Sequence, residues 1–427
     1  MARFAGGKHA TISFLSPRRA GIDYDCRTTM PLSSGTRVGP YEVQSPLGSG
    51  GKDADMLPLT AANNSFAADI YAAVRAGSEN LFLSPFSIAT ALSMVHAGAR
   101  GKTAEQMAAV LHLPRAQEQA SGFAALLKQL QSGADAGGYR LSIANGLWLE
   151  KVFPFLPAFV ATLTSEYGAA VEPTDFVNES EAARREINAW VERQTQEKIK
   201  DLFPARSIQP LTRLVLANAI YFKGKWATQF RSQFTAGAPF TTSAGSKLTV
   251  RMMQHHGGFP YYQEPGFQLL EMPYKSARLA MDVFLPRTAT GLEEFERSIT
   301  AAKLAEWLSH LHRETVDIFF PRFNVTSSFE LNRVLASMGM PEAFAPGADF
   351  SGMSPRGREL NISAVLHKAY VDVNEEGTEA AAATGVSVIT MAAAARPVEF
   401  RADHPFFFVI REVSSGAILF MGRVEEP

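Results

Sequence analysis

The sequence predicts an α+β fold, because helical patterns come mostly first along the chain and strand patterns mostly later. The two kinds of element do not alternate strictly, as they would in a fold made of repeated strand–helix–strand units. With 427 residues, 46% of them apolar, the chain can bury a sizeable core as one large domain or two ordinary ones. It shows no internal repeat.

Helical signals become regular from Ala62 onward. Ser84 is an N-cap candidate followed by proline at the first helical position, and Gly98 is well placed to end that helix. Thr103 and Gln106 form a capping-box pair for the next helix. Apolar residues with helical spacing mark one helix before Ser84 and one much later: Phe66, Ile70, Tyr71 and Val74, and then Ile187, Trp190, Val191, Ile199 and Leu202.

Strand signals dominate the second half of the chain. Residues 214–222 are apolar on both faces except for Asn218, which fits a central strand covered on both sides. An earlier strand alternates from Leu141 to Leu149 and is interrupted on the same face by Asn145. Further strands are predicted at residues 279–285, 316–320, 365–373, 406–410 and 417–421.

The chain divides near Leu57. The residues before it are rich in Gly, Ser, Pro and Arg, and within them residues 35–51 resemble the opening of a bacterial Ser/Thr protein kinase, a strand leading into a glycine loop. Asp53 stands where the third glycine would be, and no catalytic motif follows. We therefore interpret residues 1–57 as a disordered leader with a kinase-like vestige, and residues 58–427 as the folded domain.

Charge and composition exclude several classes of partner. The net charge is −1 without a basic block, so we expect neither nucleic acid nor a membrane surface as a partner. Cys26 is the single cysteine, which excludes an intramolecular disulfide. The apolar piece at residues 12–15 is too short for a signal peptide, so the expected location is cytoplasmic unless the recorded start is not the real one.

The sequence supports none of three possible motifs, for hydrolysis, metal binding and glycosylation. Residues 352–356 (GMSPR) lack the closing glycine of a hydrolase nucleophile elbow. His255 and His256 are adjacent and would point to opposite faces of a strand, so we predict no metal site. Asn324 would be glycosylated only in a chain secreted by a eukaryote, which nothing supports, and we expect a prokaryotic chain.

A run of small residues at 375–385 (EEGTEAAAATG) follows the strand predicted at 365–373. Its small side chains alternate with a period of two, as a strand requires: Thr378, Ala380, Ala382, Thr384 and Val386. Such a segment can be exposed at first and later slide between strands that are already packed. Taken alone, the run fits an Ala-rich linker or a surface helix equally well.

Five segments together resemble the serpin family, in the family's order and spanning about Ala62 to Pro427. They are residues 80–88 (NLFLSPFSI), 218–226 (NAIYFKGKW), 367–369 (HKA), 375–385 and 403–408 (DHPFFF). The resemblance implies three β-sheets with eight or nine helices and an exposed reactive-centre loop. It also implies inhibition of serine or cysteine endopeptidases by a suicide-substrate mechanism. There the protease cleaves the loop, forms an acyl-enzyme and is carried away as the loop inserts into the main sheet.

The resemblance assigns roles to residues of this chain. The loop hinge comprises Glu375, Gly377, Thr378, Glu379, Ala380, Ala381, Ala382, Ala383 and Thr384. The cluster where the sheet opens comprises Ser84, Ser87, Asn218 and His367, and the point where the loop enters the sheet has Trp226 and Lys368. Trp226 could equally be simple core.

Counting from Glu375 puts the reactive bond between Met391 and Ala392, with Ala392–Ala393 as the runner-up and Arg396 well behind. Methionine before the bond suits a chymotrypsin-, elastase- or subtilisin-like target. We expect a monomer without a cofactor, and residues 117–139 lack the basic stripe of a heparin site. The alternative is a non-inhibitory serpin acting as a chaperone, carrier or storage protein, although such members often have bulky or charged hinges.

Overall fold

The computed structural model describes residues 4–5, 11–12, 37–38, 41–42, 50–113, 126, 139–275, 277–378 and 396–427. The chain divides into two compact units, residues 1–56 and 57–427. The described strands of the first unit form two short antiparallel pairs: β1 (Phe4–Ala5) with β2 (Thr11–Ile12), and β3 (Arg37–Val38) with β4 (Tyr41–Glu42). The predicted disorder of the leader and its kinase-like vestige concern residues that lie mostly outside those described, and both stay predictions.

The described residues contain eight α-helices. They are α1 (Gly50–Val74), α2 (Pro85–Ala97), α3 (Gly101–Val110), α4 (Pro157–Glu166), α5 (Phe176–Gln194), α6 (Leu292–Ser298), α7 (Ala301–Ser309) and α8 (Asn332–Met338). None of these helices is long and apolar enough to span a membrane. The prediction for α2 is confirmed, since Ser84 Oγ accepts a hydrogen bond from the Ser87 N–H, Pro85 is the first helical residue and Gly98 is the C-cap.

Three helix predictions need correction. Helix α1 begins well before Ala62, where the helical signals of the sequence become regular, and it runs through Pro58. The capping box at Thr103 is absent, because α3 already begins at Gly101 and the Thr103 hydroxyl instead accepts from the backbone N–H of Asp349. The helix predicted from Ile187 to Leu202 is α5, and it already ends at Gln194. Two residues further on, Gln196 and Glu197 adopt left-handed φ angles of 52° and 61°, which a helix cannot include.

The strands of the second unit form two large sheets. They are β5 (Leu81–Leu83), β6 (Tyr139–Glu150), β7 (Ala170–Thr174), β8 (Leu214–Lys225), β9 (Ala236–Thr241), β10 (Lys247–Gln263), β11 (Phe267–Pro273), β12 (Leu279–Pro286), β13 (His312–Pro321), β14 (Phe323–Glu330), β15 (Leu366–Asn374), β16 (Gly377–Thr378), β17 (Val398–Arg401), β18 (Phe406–Glu412) and β19 (Ile418–Val424).

The first sheet has six strands in the order β14-β15-β16-β8-β6-β7. The second has nine, in the order β17-β13-β10-β11-β12-β18-β19-β5, with β9 paired to β10. The long strand β10 pairs with β9 near its start, with β11 at its end and with β13 between. It therefore joins two of the three sheets that the resemblance implies into one hydrogen-bonded sheet.

The six-stranded sheet is covered on both faces, as predicted for the strand at residues 214–222. On one face, α2 is buried along most of its length and packs against β8 and β19. On the other face, apolar residues of α5 such as Ile187 and Val191 pack against Ala217 and Ala219 of β8. Strand β8 is consequently held in position from both sides, and changes in the sheet must occur by parting it from a neighbouring strand.

Candidate functional site

The six-stranded sheet has one irregular seam, between β8 and β15. Residues 366–370 of β15 pair directly and in parallel with residues 217–221 of β8. Beyond Tyr370 the two strands separate, and β16 lies between them, antiparallel to both. The sheet is therefore open at one end to a further antiparallel strand, and the hinge supplies its first two residues.

Glu375 anchors the start of the hinge. The Thr235 hydroxyl donates to its carboxylate at 2.6 Å, Arg322 forms an ion pair with it, and the backbone N–H of Phe230 donates to its carbonyl at 2.9 Å. Burial opposes ionisation, but the hydrogen bonds from Thr235 and Arg322 outweigh it and lower the pKa of Glu375. The hinge thus begins at an ionised carboxylate whose partners fix its position.

Trp226 lies where the hinge turns into the seam. Its backbone N–H donates to the carbonyl of Glu376 at 2.8 Å, and its indole Nε1–H donates to the carbonyl of Asn374 at 3.0 Å. Its ring stacks on Tyr274 with centroids 4.7 Å apart. The structure therefore places Trp226 at the mouth of the seam, and its burial makes it part of the core as well.

Lys368 does not lie at the mouth, and this correction follows from the register. It is in the closed part of the seam, paired with Ala219, six residues before the end of β15 at Asn374. At about 3.3 Å per residue, that is roughly 20 Å from the mouth. Its ammonium donates to the carbonyl of Lys200 at 2.7 Å, on the face of the sheet opposite to that of His367.

Gly377 is required by both its conformation and its surroundings. Its φ is +145°, a value that residues with a side chain rarely adopt. A Cβ atom at this position would come within 1.9 Å of the carbonyl oxygen of Gly224 on β8. The hinge can therefore lie this close to β8 only because residue 377 has no side chain.

Ser84, Ser87, Asn218 and His367 meet beneath the closed part of the seam, and all four are buried. The backbone N–H of Ser84 donates to Nε2 of His367 at 3.1 Å, and Nδ1 of His367 lies 2.6 Å from Oδ1 of Asn218. The amide nitrogen of Asn218 donates to Oγ of Ser87 at 2.7 Å. The structure thus brings the four predicted residues into one network, while their role in opening the sheet stays a prediction.

The direction of each hydrogen bond follows from one backbone group. A backbone N–H can only donate, so Nε2 of His367 accepts from Ser84 and the proton resides on Nδ1. Nδ1 then donates to Oδ1 of Asn218, whose amide nitrogen faces Ser87. A second proton on Nε2 would point at the Ser84 N–H. Burial lowers the pKa of His367 to about 3, so the ring is neutral.

Asn145 completes this network and was missed as a site residue. It lies directly opposite Asn218 on β6, and its Oδ1 accepts from the Asn218 amide nitrogen at 2.6 Å. Its own amide nitrogen is buried and has no partner among the described residues. The sequence contained the signal, because Asn145 is the polar interruption in an otherwise apolar strand face.

Part of the predicted site lies outside the described residues. This part comprises Glu379, Ala380, Ala381, Ala382, Ala383 and Thr384 of the hinge, and Met391 and Ala392 of the reactive bond.

Comparisons with known proteins agree with this architecture. The family model described as Serpin (serine protease inhibitor) matches residues 61–427. The leukocyte elastase inhibitor of the pig, Sus scrofa, is 42% identical over 385 residues, which cover 87% of this chain and 100% of that protein. The chain therefore belongs to the serpin family, whose model describes protease inhibitors and not enzymes.

Two solved structures show the range of the fold. The loop-inserted structure of a cleaved ovalbumin mutant is 30% identical with a TM-score of 0.77, and the match covers 86% of this chain and 100% of that one. Human thyroxine-binding globulin in complex with thyroxine is also 30% identical, with a TM-score of 0.79 over 87% of this chain and 99% of that one. The expected prokaryotic origin and the kinase-like leader gain no support from these comparisons.

The neutral state of His367 predicts a pH dependence of stability. The unfolded chain binds a proton at this histidine below about pH 6.5, whereas the folded chain does so only near pH 3. Stability contributed by His367 is thus complete above about pH 6.5 and falls by up to about 1.4 kcal/mol per pH unit below it. Denaturant-unfolding midpoints of the wild type and of His367→Gln, measured between about pH 7 and pH 5, test this.

Stability should depend on pH more steeply in the wild type than in His367→Gln, because only the wild type has His367. Burial also lowers the pKa values of His96 and His255, but both proteins contain these histidines, so their contributions cancel in the comparison. His367→Gln should be less stable at neutral pH but lose less stability on acidification. Parallel pH profiles would contradict the neutral, buried state of His367.

Gly377→Ala should displace the hinge from the seam, because the new Cβ would collide with Gly224. We expect a loss of roughly 1–3 kcal/mol in unfolding free energy from strain at this φ and contact. Gly416→Ala is the matched control, since Gly416 also has a left-handed φ, +74°, but nothing lies within 4 Å of its Cβ position. Equal losses in the two variants, measured by urea denaturation, would show that the contact with β8 imposes no constraint.

Proposed function

We propose that this chain inhibits serine endopeptidases by trapping them during cleavage of its reactive loop. The observation that carries the proposal is the open seam, where β16 already occupies the first two positions of a new central strand. Serine protease inhibition is also the activity named by the family model, and the pig relative is named as an inhibitor of leukocyte elastase. The loop-inserted structure of cleaved ovalbumin supports insertion as a property of this fold.

The chemistry begins as ordinary proteolysis. The protease serine hydroxyl adds to the carbonyl carbon of Met391, the Met391–Ala392 amide bond breaks, and the amine of Ala392 leaves with the proton. An ester then joins Met391 to the protease, and hydrolysis of this ester would release both. Cleavage also frees the loop at one end, so the hinge can continue into the seam behind β16.

Insertion is favoured because it replaces a poor arrangement of strands with a better one. Parallel pairs are slightly less stable per residue than antiparallel pairs, and the new strand is antiparallel to both β8 and β15. Roughly ten additional ladder hydrogen bonds, at about 1 kcal/mol each, would contribute on the order of 10 kcal/mol. The small hinge residues can enter between the packed strands without creating large clashes.

We further propose a chymotrypsin-, elastase- or subtilisin-like enzyme as the target. Methionine at residue 391 is unbranched and apolar, which suits the primary pockets of these enzymes. The name of the pig relative, an elastase inhibitor, supports the elastase-like option. A monomeric, cytoplasmic protein remains the expectation for this chain.

A carrier function is the second candidate, because thyroxine-binding globulin has the same fold and was solved with its ligand. The seam argues for inhibition instead. The small hinge residues that follow β16 can enter between packed strands, which inhibition requires and ligand carriage does not.

The reactive bond is tested by mixing the protein with chymotrypsin, pancreatic elastase and subtilisin. We expect an SDS-resistant complex and a released C-terminal peptide that begins at Ala392, identified by mass spectrometry. A peptide beginning at Pro397 would exclude Met391 as the reactive residue. Cleavage without any stable complex would favour the non-inhibitory alternative.

Thr378→Arg should convert the inhibitor into a substrate. Residue 378 already lies in the seam of the native structure, paired with Val373, a fully buried position. We expect an arginine there to leave the seam and keep its charge in water, so insertion would then have to bury that charge. If burial costs at least about 3 kcal/mol in the insertion step, insertion slows by about a hundredfold or more and hydrolysis wins. The number of inhibitor molecules consumed per protease inhibited should rise steeply.

Glu379→Arg is the matched control for this variant. Residue 379 is the next position along the strand and faces the opposite side of the sheet, so its charge should matter less. Equal consumption ratios for Thr378→Arg, Glu379→Arg and the wild type would contradict insertion past Thr378.

A further inference from the structure

A cavity of about 540 Å³ lies where the end of α1 meets the start of α6. Four segments of the second unit form its wall: the end of α1 with the turn after it, the start of α6 with the loop before it, the turn between β9 and β10, and the chain around the end of β19. Ala72, Ala76 and Thr290 of this wall are exposed, so the cavity is open to solvent. Its volume suits a small molecule. We call it the α1/α6 cavity.

Most charged groups of the wall are already paired. The guanidinium of Arg423 is buried, donates to the Glu296 carboxylate at 3.1 Å and donates to three backbone carbonyls. Glu296 also accepts from the Tyr71 hydroxyl. Arg297 and Glu293 form an ion pair at the exposed side of the cavity. These groups satisfy one another, so they shape the cavity without offering a charge to a ligand.

Glu425 is a charged group of the wall that is not fully satisfied. Its side chain is 7% exposed, and its Oε2 is buried without a hydrogen-bond partner among the described residues. Burial raises the pKa of this carboxyl, and a hydrogen bond from the Ser243 hydroxyl offsets only part of the rise. A buried carboxylate oxygen without a donor is unfavourable. The cavity therefore has room for a hydrogen-bond donor at this point.

Arg75 is the second group that lacks a partner. Its side chain is half-buried, and its guanidinium has neither a hydrogen bond nor an ion pair with any described residue. Its backbone carbonyl accepts from Arg423 at 2.9 Å, which holds this part of the chain in the wall. Arg75 and Glu425 do not pair with each other, although both line the cavity. A molecule between them would meet a cation on one side and a carboxyl group on the other.

We propose that the α1/α6 cavity binds an amino acid or a short peptide with free termini, its ammonium group at Glu425 and its carboxylate at Arg75. The ammonium supplies the missing donor, and a guanidinium can bind a carboxylate through two parallel hydrogen bonds. A ligand with a single charge would leave one of the two groups without a partner. Ala72, Ala76 and Ala289 leave space for apolar side chains of the ligand.

The inference does not depend on protease trapping, because the cavity is separate from the seam and its hinge. A ligand that joins α1, α6 and the end of β19 binds the folded chain and not the unfolded one. It should therefore raise the thermal midpoint of unfolding in an inhibitor and in a non-inhibitory protein alike.

The test titrates the full chain with three related dipeptides by isothermal titration calorimetry. Leucyl-leucine has both free termini, N-acetyl-leucyl-leucine lacks the ammonium group, and leucyl-leucinamide lacks the carboxylate. We expect leucyl-leucine to bind and to raise the thermal midpoint. Each blocked dipeptide should bind at least about tenfold more weakly, because it loses one charge-assisted hydrogen bond.

Two variants assign each terminus of the ligand to its residue. In Glu425→Gln, leucyl-leucine and its acetylated form should bind equally, while the preference for a free carboxylate stays. Arg75→Gln should show the reverse, losing only the preference for a free carboxylate. General damage to the fold would not produce this crossed pattern. Glu426→Gln is the matched control, since Glu426 is the next residue, is exposed and does not line the cavity.

Several results would overturn the proposal. One is an absence of binding by leucyl-leucine at about 10 mM, tenfold above a millimolar Kd. Another is equal affinity of the wild type for all three dipeptides. Tighter binding of leucyl-leucinamide would assign the cavity to cations instead. If Glu425→Gln fails to fold, Arg75→Gln still decides, because an unchanged preference for a free carboxylate in that variant contradicts the assigned orientation.

Discussion

The direct parallel pairing of β8 with β15 is the constraint on which the rest of the site depends. This pairing closes the six-stranded sheet over five residue pairs. Beyond these pairs β8 and β15 separate, and β16 lies between them. An antiparallel strand would complete the ladder better than this pairing does, yet the intact loop is tethered at both ends and cannot supply one. The native sheet is thus held short of its most stable arrangement by chain connectivity, and the Glu375 anchor fixes where that restraint begins.

The buried polar network sets the resistance of this seam to opening. Asn218 and His367 face each other directly across it, so an inserting strand must break their hydrogen bond. Each partner retains other hydrogen bonds on its own side, to Ser87 for Asn218 and to Ser84 for His367. Parting the strands therefore leaves no residue of the network wholly unsatisfied, and the seam can open without the full desolvation penalty of isolated buried polar groups.

Sequence patterns located most of the elements but not the contacts between distant segments. The resemblance to the serpin family assigned Ser84, Ser87, Asn218 and His367 to one cluster. Of these four, only Asn218 also stood out by pattern, as a polar residue inside an apolar strand, and Asn145 had the same signal. Lys368 was predicted at the mouth of the seam, but how far the seam is closed depends on the register of β8 and β15, which the sequence does not reveal. Neighbouring residues of a strand also face opposite sides of the sheet, so Lys368 does not share the face of His367. Glu375 pairs with Thr235 and Arg322 far away in the chain, and no local pattern encodes that choice. Helix α1 starts before Pro58 and continues through it, although proline destabilises the interior of a helix.

The proposed length of the reactive loop corresponds to the length of β8. Strand β8 extends from Lys225 to Leu214. A loop that continued the register of β16 would bring the proposed reactive residue, Met391, three residues beyond the far end of β8. A loop three or more residues shorter would stop the ester within the ladder, where the bulk of the protease would block completion of the strand. A longer loop would leave slack, so the protease could relax and its active site could re-form. With Met391 as the proposed reactive residue, the number of residues between the hinge and Met391 thus sets how far along β8 the ester would travel.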